Sequence, residues 1–91
     1  MMLEIYFTSR FKKDYKLMLK RGMKPILLET VVELLRNRQP LPEKYRDHEL
    51  TGDYTGFREC HLLPDWLLVY LTEEDRLTLT LVRTGTHSDL F

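Results

Sequence analysis

Length, composition and charge restrict this chain to a narrow set of protein classes. Its 91 residues hold fourteen Lys and Arg against fourteen Asp and Glu, so the formal net charge is zero. A hydrophobic content of 43% excludes a disordered tail, and a charged content of 31% excludes a membrane-spanning chain. We expect residues 1–91 to form one domain with a single core and a shallow site. A neutral sum by itself also argues against a nucleic-acid partner.

The start of the chain and its single cysteine indicate a cytoplasmic protein. The opening segment MMLEIYFTSR lacks the charged and then apolar layout of a signal peptide. No apolar run approaches the roughly 20 residues that cross a bilayer, so we expect no membrane contact. Cys60 is the only cysteine, which excludes an intrachain disulfide and a cysteine-based zinc site.

The first half of the chain predicts one strand and two helices. Apolar side chains alternate with others over residues 3–7, the pattern of a short strand. Ser9 is a favourable N-cap for a first helix, and Gly22 suits the residue that follows its C-terminal end. Pro25 suits the first turn of a second helix, and Pro40 and Pro42 end that helix. The two helices should form a hairpin.

The second half predicts a long loop followed by three strands. Residues 39–56 have the composition of a loop, and loops of that length are often functional. Strands are predicted over 57–62, 66–71 and 77–82, with a tight turn at Pro64 and Asp65. The order is therefore β-α-α-β-β-β, an α+β domain in which a two-helix hairpin packs on a small, mainly antiparallel sheet.

Charge is unevenly distributed along the chain. Residues 1–46 hold eleven basic and five acidic residues, a net charge of +6, and residues 47–91 carry −6. Seven of the basic residues lie between positions 10 and 24, against one acid. Such density favours an RNA phosphate backbone as partner. The polar face of the first helix supplies the candidate RNA-docking residues Lys12, Lys13, Lys16 and Lys20.

The predicted meander gathers residues of catalytic type at one end of the sheet. His61 ends one strand, Asp65 lies in the turn after it, and His87 follows the last strand. Since alternate strands of a meander run in the same direction, these residues should meet, with Arg83 close by. Arg83 has the parity of the alternating leucines before it, which predicts that it points to their apolar face. His48 cannot be placed, because its loop could close over either end.

Two histidines, a carboxylate and an arginine can cleave RNA without a metal. A histidine that titrates near neutral pH can take the proton of a ribose 2′-hydroxyl as it attacks the adjacent phosphate. A second group protonates the leaving 5′-oxygen, and arginine neutralises the charge of the transition state. A zinc site is the alternative for the same side chains, although they lack the short spacing of zinc motifs. That site would use His48, His61 and His87 with Asp65.

Four segments in this order carry a resemblance that spans the whole chain. They are Asp47-His48-Glu49-Leu50, Arg58-Glu59-Cys60-His61, Pro64-Asp65-Trp66 and Arg83-Thr84-Gly85-Thr86-His87-Ser88. Together they resemble the YafQ branch of the RelE/ParE toxin superfamily.

The resemblance implies a type II toxin that cleaves mRNA in the ribosomal A site. It implies no cofactor and no metal, and a cognate antitoxin, typically with a ribbon-helix-helix part, as the neutralising partner. His87 would be the general acid, and His48 or Asp65 the base, with His61 orienting or sharing that role. Arg83 would stabilise the transition state. Trp66 and Phe91 would support the site or stack on a base.

A toxin that binds without cutting is the alternative function. It would act as a gyrase inhibitor of the ParE type or would block the ribosomal A site. A pure binder has no need of three histidines and a carboxylate in this arrangement, so the sequence favours the nuclease.

Overall fold

The computed structural model describes residues 2–91 and has the predicted α+β fold. Its helices are α1 (Ser9–Lys20), α2 (Pro25–Arg36) and α3 (His87–Leu90). Its strands are β1 (Glu4–Phe7), β2 (His48–Glu49), β3 (Arg58–Leu63), β4 (Trp66–Glu73) and β5 (Thr78–Gly85). The sheet order is β1-β5-β4-β3-β2, with β1 parallel to β5 and every other pair antiparallel. The predicted helix hairpin and meander are confirmed.

Strand β4 lies at the centre of the sheet and is covered on both faces. Its first five residues are all buried, as its continuous apolar run predicted. One face, called the helix face, packs against buried residues of α1 and α2 such as Phe11, Met18 and Val31. The opposite face, called the open face, carries a smaller cluster of Leu67, Val69 and Leu90. Residues of the 50–57 segment pack against that smaller cluster.

The first helix is capped one residue earlier than predicted. Thr8, not Ser9, is the N-cap, and its Oγ1 accepts from the Phe11 N–H at 2.9 Å. The same hydroxyl donates to the Val82 carbonyl at 2.7 Å. This hydrogen bond holds Thr8 against β5 and so fixes where the helix begins. Gly22 (φ +90°) follows the C-cap, and α2 begins at Pro25, both as predicted.

Two stretches of the second half differ from their predicted structure. The predicted loop 39–56 contains β2 and two short 3₁₀ turns, Glu43–Tyr45 and Gly52–Tyr54. A two-residue strand is too short to show alternation, so no pattern announced it. Leu77, predicted as a strand residue, lies in the turn before β5 with φ +53°.

A bulge in β5 reverses the predicted orientation of Arg83. Val69 pairs with Arg83 and Tyr70 with Leu81, so one extra residue of β5 stands between them. An inserted residue resets the alternation of faces, and Arg83 shares its position with Val69 of the open face. The prediction that it continues the apolar leucine face is wrong.

Within residues 2–91, the helices are all too short or too polar to cross a lipid bilayer.

Candidate active site

Three imidazole rings from three different elements form a row at one end of the sheet. The His48 and His61 ring centroids are 6.2 Å apart, and those of His61 and His87 are 5.7 Å apart. Pairing of β2 with β3 sets His48 opposite Glu59. This fixes the position of His48, which the predicted topology could not assign to either end of the sheet. The structure thus brings together His48, His61, Asp65 and His87.

Each ring has its Nδ1 engaged by an oxygen atom that can only accept a hydrogen bond. The pairs are His48 Nδ1 with the Arg46 carbonyl at 2.6 Å, His61 Nδ1 with the Pro64 carbonyl at 3.3 Å, and His87 Nδ1 with Asp65 Oδ1 at 2.7 Å. Because carbonyl and carboxylate oxygens have no proton to give, Nδ1 carries the hydrogen in every ring. The three Nε2 atoms are left to exchange protons with a substrate.

Asp65 holds His87 through two hydrogen bonds. Its Oδ1 accepts from the His87 ring and, at 3.0 Å, from the His87 backbone N–H. The backbone bond first, and then the ring bond, hold the pKa of Asp65 below its ordinary value. The carboxylate is therefore ionised at neutral pH and faces an exposed imidazole.

Glu59 lies beside two of these histidines, a position that was not predicted from the sequence. Its side chain is buried, and Oε1 lies 3.5 Å from His48 Nε2 and 3.9 Å from His61 Nε2. Its Oε2 has no hydrogen-bond partner among residues 2–91. The signal was parity, because Glu59 and His61 alternate with Cys60 and Leu62, which face the helix-side core.

The same three side chains have the chemistry of a metal site. His48, Glu59 and His61 each offer one ligand atom, and these atoms lie within 4.8 Å of one another. Imidazole and carboxylate suit zinc and copper. The zinc site considered from the sequence used Asp65 and His87 where this set has Glu59. Asp65 and His87 are instead hydrogen-bonded to each other. A bound cation would be coordinated by the Nε2 atoms of His48 and His61, which could then not exchange protons with a substrate.

Arg83 is held by Asp14 of α1 at the edge of β5. Its Nε and Nη2 donate to the Asp14 carboxylate at 2.8 and 3.1 Å, and these bonds raise the pKa of Arg83. Asp14 also accepts from the Thr84 N–H at 3.2 Å. Strand β1 pairs with β5 only as far as Leu81, so at Thr84 the Asp14 carboxylate takes the place of a neighbouring strand. A guanidinium has five N–H donors, so the pair with Asp14 does not use all of them.

The resemblance implied that Trp66 and Phe91 either support the site or stack on a base, and the structure separates the two residues. Trp66 is fully buried and donates from Nε1 to Thr84 Oγ1 at 2.8 Å, so it supports the end of β5 and cannot stack on a base. The stacking alternative is therefore wrong for Trp66. Phe91 is 63% exposed and meets Tyr54 edge-on at 5.7 Å between centroids. Its exposed ring surface is therefore available to a base.

The short helix α3 is held in place from both sides. Thr86 and Asp89 form a capping box at its N-terminus. Arg21 donates to Asp89 at 2.8 and 3.3 Å, and this bond, ahead of those from Thr86, lowers the pKa of Asp89 to about 2. A Cβ at Gly85 would lie 2.9 Å from the Asp89 Cβ, so only glycine lets α3 approach this closely.

The four candidate docking lysines lie away from the histidines. Lys12, Lys13, Lys16 and Lys20 are all exposed on α1, which packs on the helix face. Glu59 and His61 belong to the open face, so the basic surface and the histidine site are on different sides of the molecule.

The architecture and the site define a small α+β domain with a cluster of histidines and carboxylates at one end of its sheet. Residues 3–91 match the family described as the bacterial toxin of the type II toxin–antitoxin system, YafQ. The chain belongs to this family. It is 41% identical over 90 residues to the mRNA interferase toxin YafQ of Escherichia coli K12, a match that covers 97% of this chain and 95% of that protein.

Two solved structures show the same likeness. A metal-bound toxin from Helicobacter pylori is 50% identical, with a TM-score of 0.93 over 99% of this chain and 100% of that one. The toxin of the E. coli DinJ–YafQ toxin–antitoxin complex is 38% identical, with a TM-score of 0.90 over 100% of this chain and 99% of that one.

Proposed function

We propose that this protein is the toxin of a type II toxin–antitoxin pair and an endoribonuclease that cleaves mRNA in the ribosomal A site. The observation that carries the proposal is the row of three imidazoles, each with Nδ1 engaged, with Glu59 beside the Nε2 atoms of His48 and His61. Its E. coli relative, named an mRNA interferase, supports the same substrate.

The reaction needs one group that takes a proton and another that gives one. His87 is the general acid, because its exposed ring is held by Asp65 through Nδ1, which leaves Nε2 to give a proton. The base acts from the His48 and His61 side, where Glu59 lies beside both Nε2 atoms. Asp65 is the weaker candidate for the base, since its Oδ1 already accepts two hydrogen bonds.

The chemistry is a transesterification that needs no added reactant. The base removes the 2′-hydroxyl proton, the 2′-oxygen attacks the neighbouring phosphorus, and the bond from phosphorus to the 5′-oxygen breaks. His87 gives its proton to that 5′-oxygen. The products are a 2′,3′-cyclic phosphate and a 5′-hydroxyl end.

Two further side chains bind the substrate in this scheme. Arg83, whose guanidinium is held by Asp14, neutralises charge on the pentacoordinate phosphorus. Phe91 stacks on a base next to the cut, an interaction worth about 1–3 kcal/mol.

The partners follow from the two surfaces and the relatives. The lysines of α1 bind the ribosomal RNA backbone, while the opposite side of the molecule receives the messenger. The DinJ–YafQ complex supports a cognate antitoxin, and the family resemblance supports the ribbon-helix-helix type. The pair would act in the cytoplasm, where translating ribosomes are found.

The test is cleavage of mRNA on purified programmed ribosomes, with product ends mapped. We expect new 5′-hydroxyl ends, full cleavage by a toxin that is treated with EDTA and desalted before it is added to the ribosomes, and loss of both cleavage and growth arrest in His87→Ala. Thermal unfolding of the variant checks that it folds. Arrest with no new ends would favour a non-cleaving toxin, and cleavage lost after EDTA treatment of the toxin alone would favour a metal-dependent enzyme at His48, Glu59 and His61.

A further inference from the structure

A cavity of about 420 Å³ opens directly beside the histidine row. It lies between the end of β3, the segment 44–46 and α2. His61 forms one wall, so the cavity and the proposed active site share a side chain. Its other lining residues include Leu27, Lys44, Tyr45, Arg46 and Leu63.

The β3 wall of the cavity is a free strand edge. Strand β2 pairs only with Arg58 and Glu59 of β3, so the edge over residues 60–63 has no neighbouring strand on that side. Within residues 2–91, segment 44–46 makes no backbone hydrogen bond to this edge. Its free N–H and C=O groups can therefore pair with the polar edge of a ligand.

The remaining walls combine an aromatic ring with positive charge. Tyr45 is half-buried and packs against the helix-side core, which holds its ring in place. Lys44 Nζ lies 5.1 Å from the centre of that ring, and Arg46 adds a second exposed cation. Among residues 2–91, none that lines the cavity is acidic. A ring, two cations, an apolar floor and a free backbone edge suit a nucleobase joined to a phosphate.

We propose that this cavity binds the base of the nucleotide on the 5′ side of the cut bond, the one whose 2′-hydroxyl attacks. The inference rests on the proposed endoribonuclease function. The cavity adjoins His61, and the Arg46 carbonyl in its wall orients His48, so it lies on the base side of the site. His87, the proposed acid, lies on the far side of His61. The cavity thus sets the sequence preference immediately 5′ of the cut.

The test fills the cavity without touching the histidines. Leu63 lines it and is 38% exposed, so Leu63→Trp occupies its space. Ile26→Trp, at a residue that is 58% exposed and outside the cavity, is the matched control. Cleavage is measured on ribosomes programmed with mRNA randomised at the position 5′ of the cut. Thermal unfolding confirms that both variants fold.

We expect Leu63→Trp to lower kcat/KM about 5- to 150-fold for the preferred base, the range of a lost stacked base, and to flatten the base distribution. Ile26→Trp should retain both. Cleavage with an unchanged base distribution in Leu63→Trp would overturn this inference alone. So would a variant that cleaves normally but escapes the antitoxin, since the cavity would then belong to that interface. A wild-type protein that cuts no RNA would overturn the proposed function as well.

Discussion

Two histidines of this site are oriented by backbone carbonyl groups that lie two or three residues away in the sequence. The Arg46 carbonyl orients His48 from two residues away, and Pro64 orients His61 from three. The meeting of His61, Asp65 and His87 could be predicted, because a meander fixes which strand ends meet. Arg83 could not be oriented, since nothing in the alternation of β5 announces its bulge.

Glu59 shows a second limit of sequence analysis at this scale. A glutamate in a strand is most often solvated, so its parity with His61 is a weaker signal than its burial beside two histidines. We predict that Glu59→Gln lowers cleavage about 10- to 100-fold, as loss of an orienting carboxylate does. The free energy of unfolding should stay level or rise by about 1 kcal/mol, because an unpaired buried carboxylate oxygen is destabilising.

Urea unfolding beside the cleavage assay checks this pair of effects. Glu49→Gln, at a neighbouring exposed glutamate, is the control and should change neither quantity. A Glu59→Gln protein that cleaves at the parent rate would remove Glu59 from the site.

Elements of regular length were predictable, and short ones were not. The two long helices and the meander follow from apolar periodicity, caps and turn residues. Strand β2 has two residues and α3 has four, so neither shows a period. Both carry a histidine of the site, which means that the least predictable elements supply two of its three imidazoles.

Helix α3 should respond to acid through Asp89. Its pKa in the folded protein is about 2, below the ordinary value of about 3.9. A lowered carboxyl pKa stabilises the folded form above the unfolded value, and that stability is lost as the pH falls through the folded value. We therefore predict that α3 loses its docking progressively between about pH 4 and pH 2.

Amide exchange of residues 86–91, followed by NMR across that pH range, measures this loss. In Arg21→Ala the strongest cause of the lowered pKa is gone, so docking should fail at higher pH. Lys24→Ala is the control at an exposed cation nearby. Equal exchange profiles for Arg21→Ala and the parent would contradict the account.

The whole molecule separates a basic side from a catalytic side, and its neutral net charge hides that separation. Charge reversal at Lys12, Lys13, Lys16 and Lys20 should weaken ribosome binding and lower the slope of log affinity against log salt by about one for each lysine that contacts a phosphate. The four-fold Lys→Arg variant keeps the charge and should bind as the parent does. Unchanged binding and salt slope after reversal would exclude α1 as the docking surface.

Proton donation by His87 to the leaving 5′-oxygen is the central claim, and an RNA with sulfur in place of that oxygen tests it directly. A thiolate leaves without protonation, so the acid becomes dispensable on this substrate. On ordinary RNA, His87→Ala should cut about 10²- to 10⁴-fold more slowly than the parent. On the 5′-thio RNA the two rates should nearly converge, while His48→Ala keeps its defect. A His87→Ala defect of equal size on both substrates would contradict the claim.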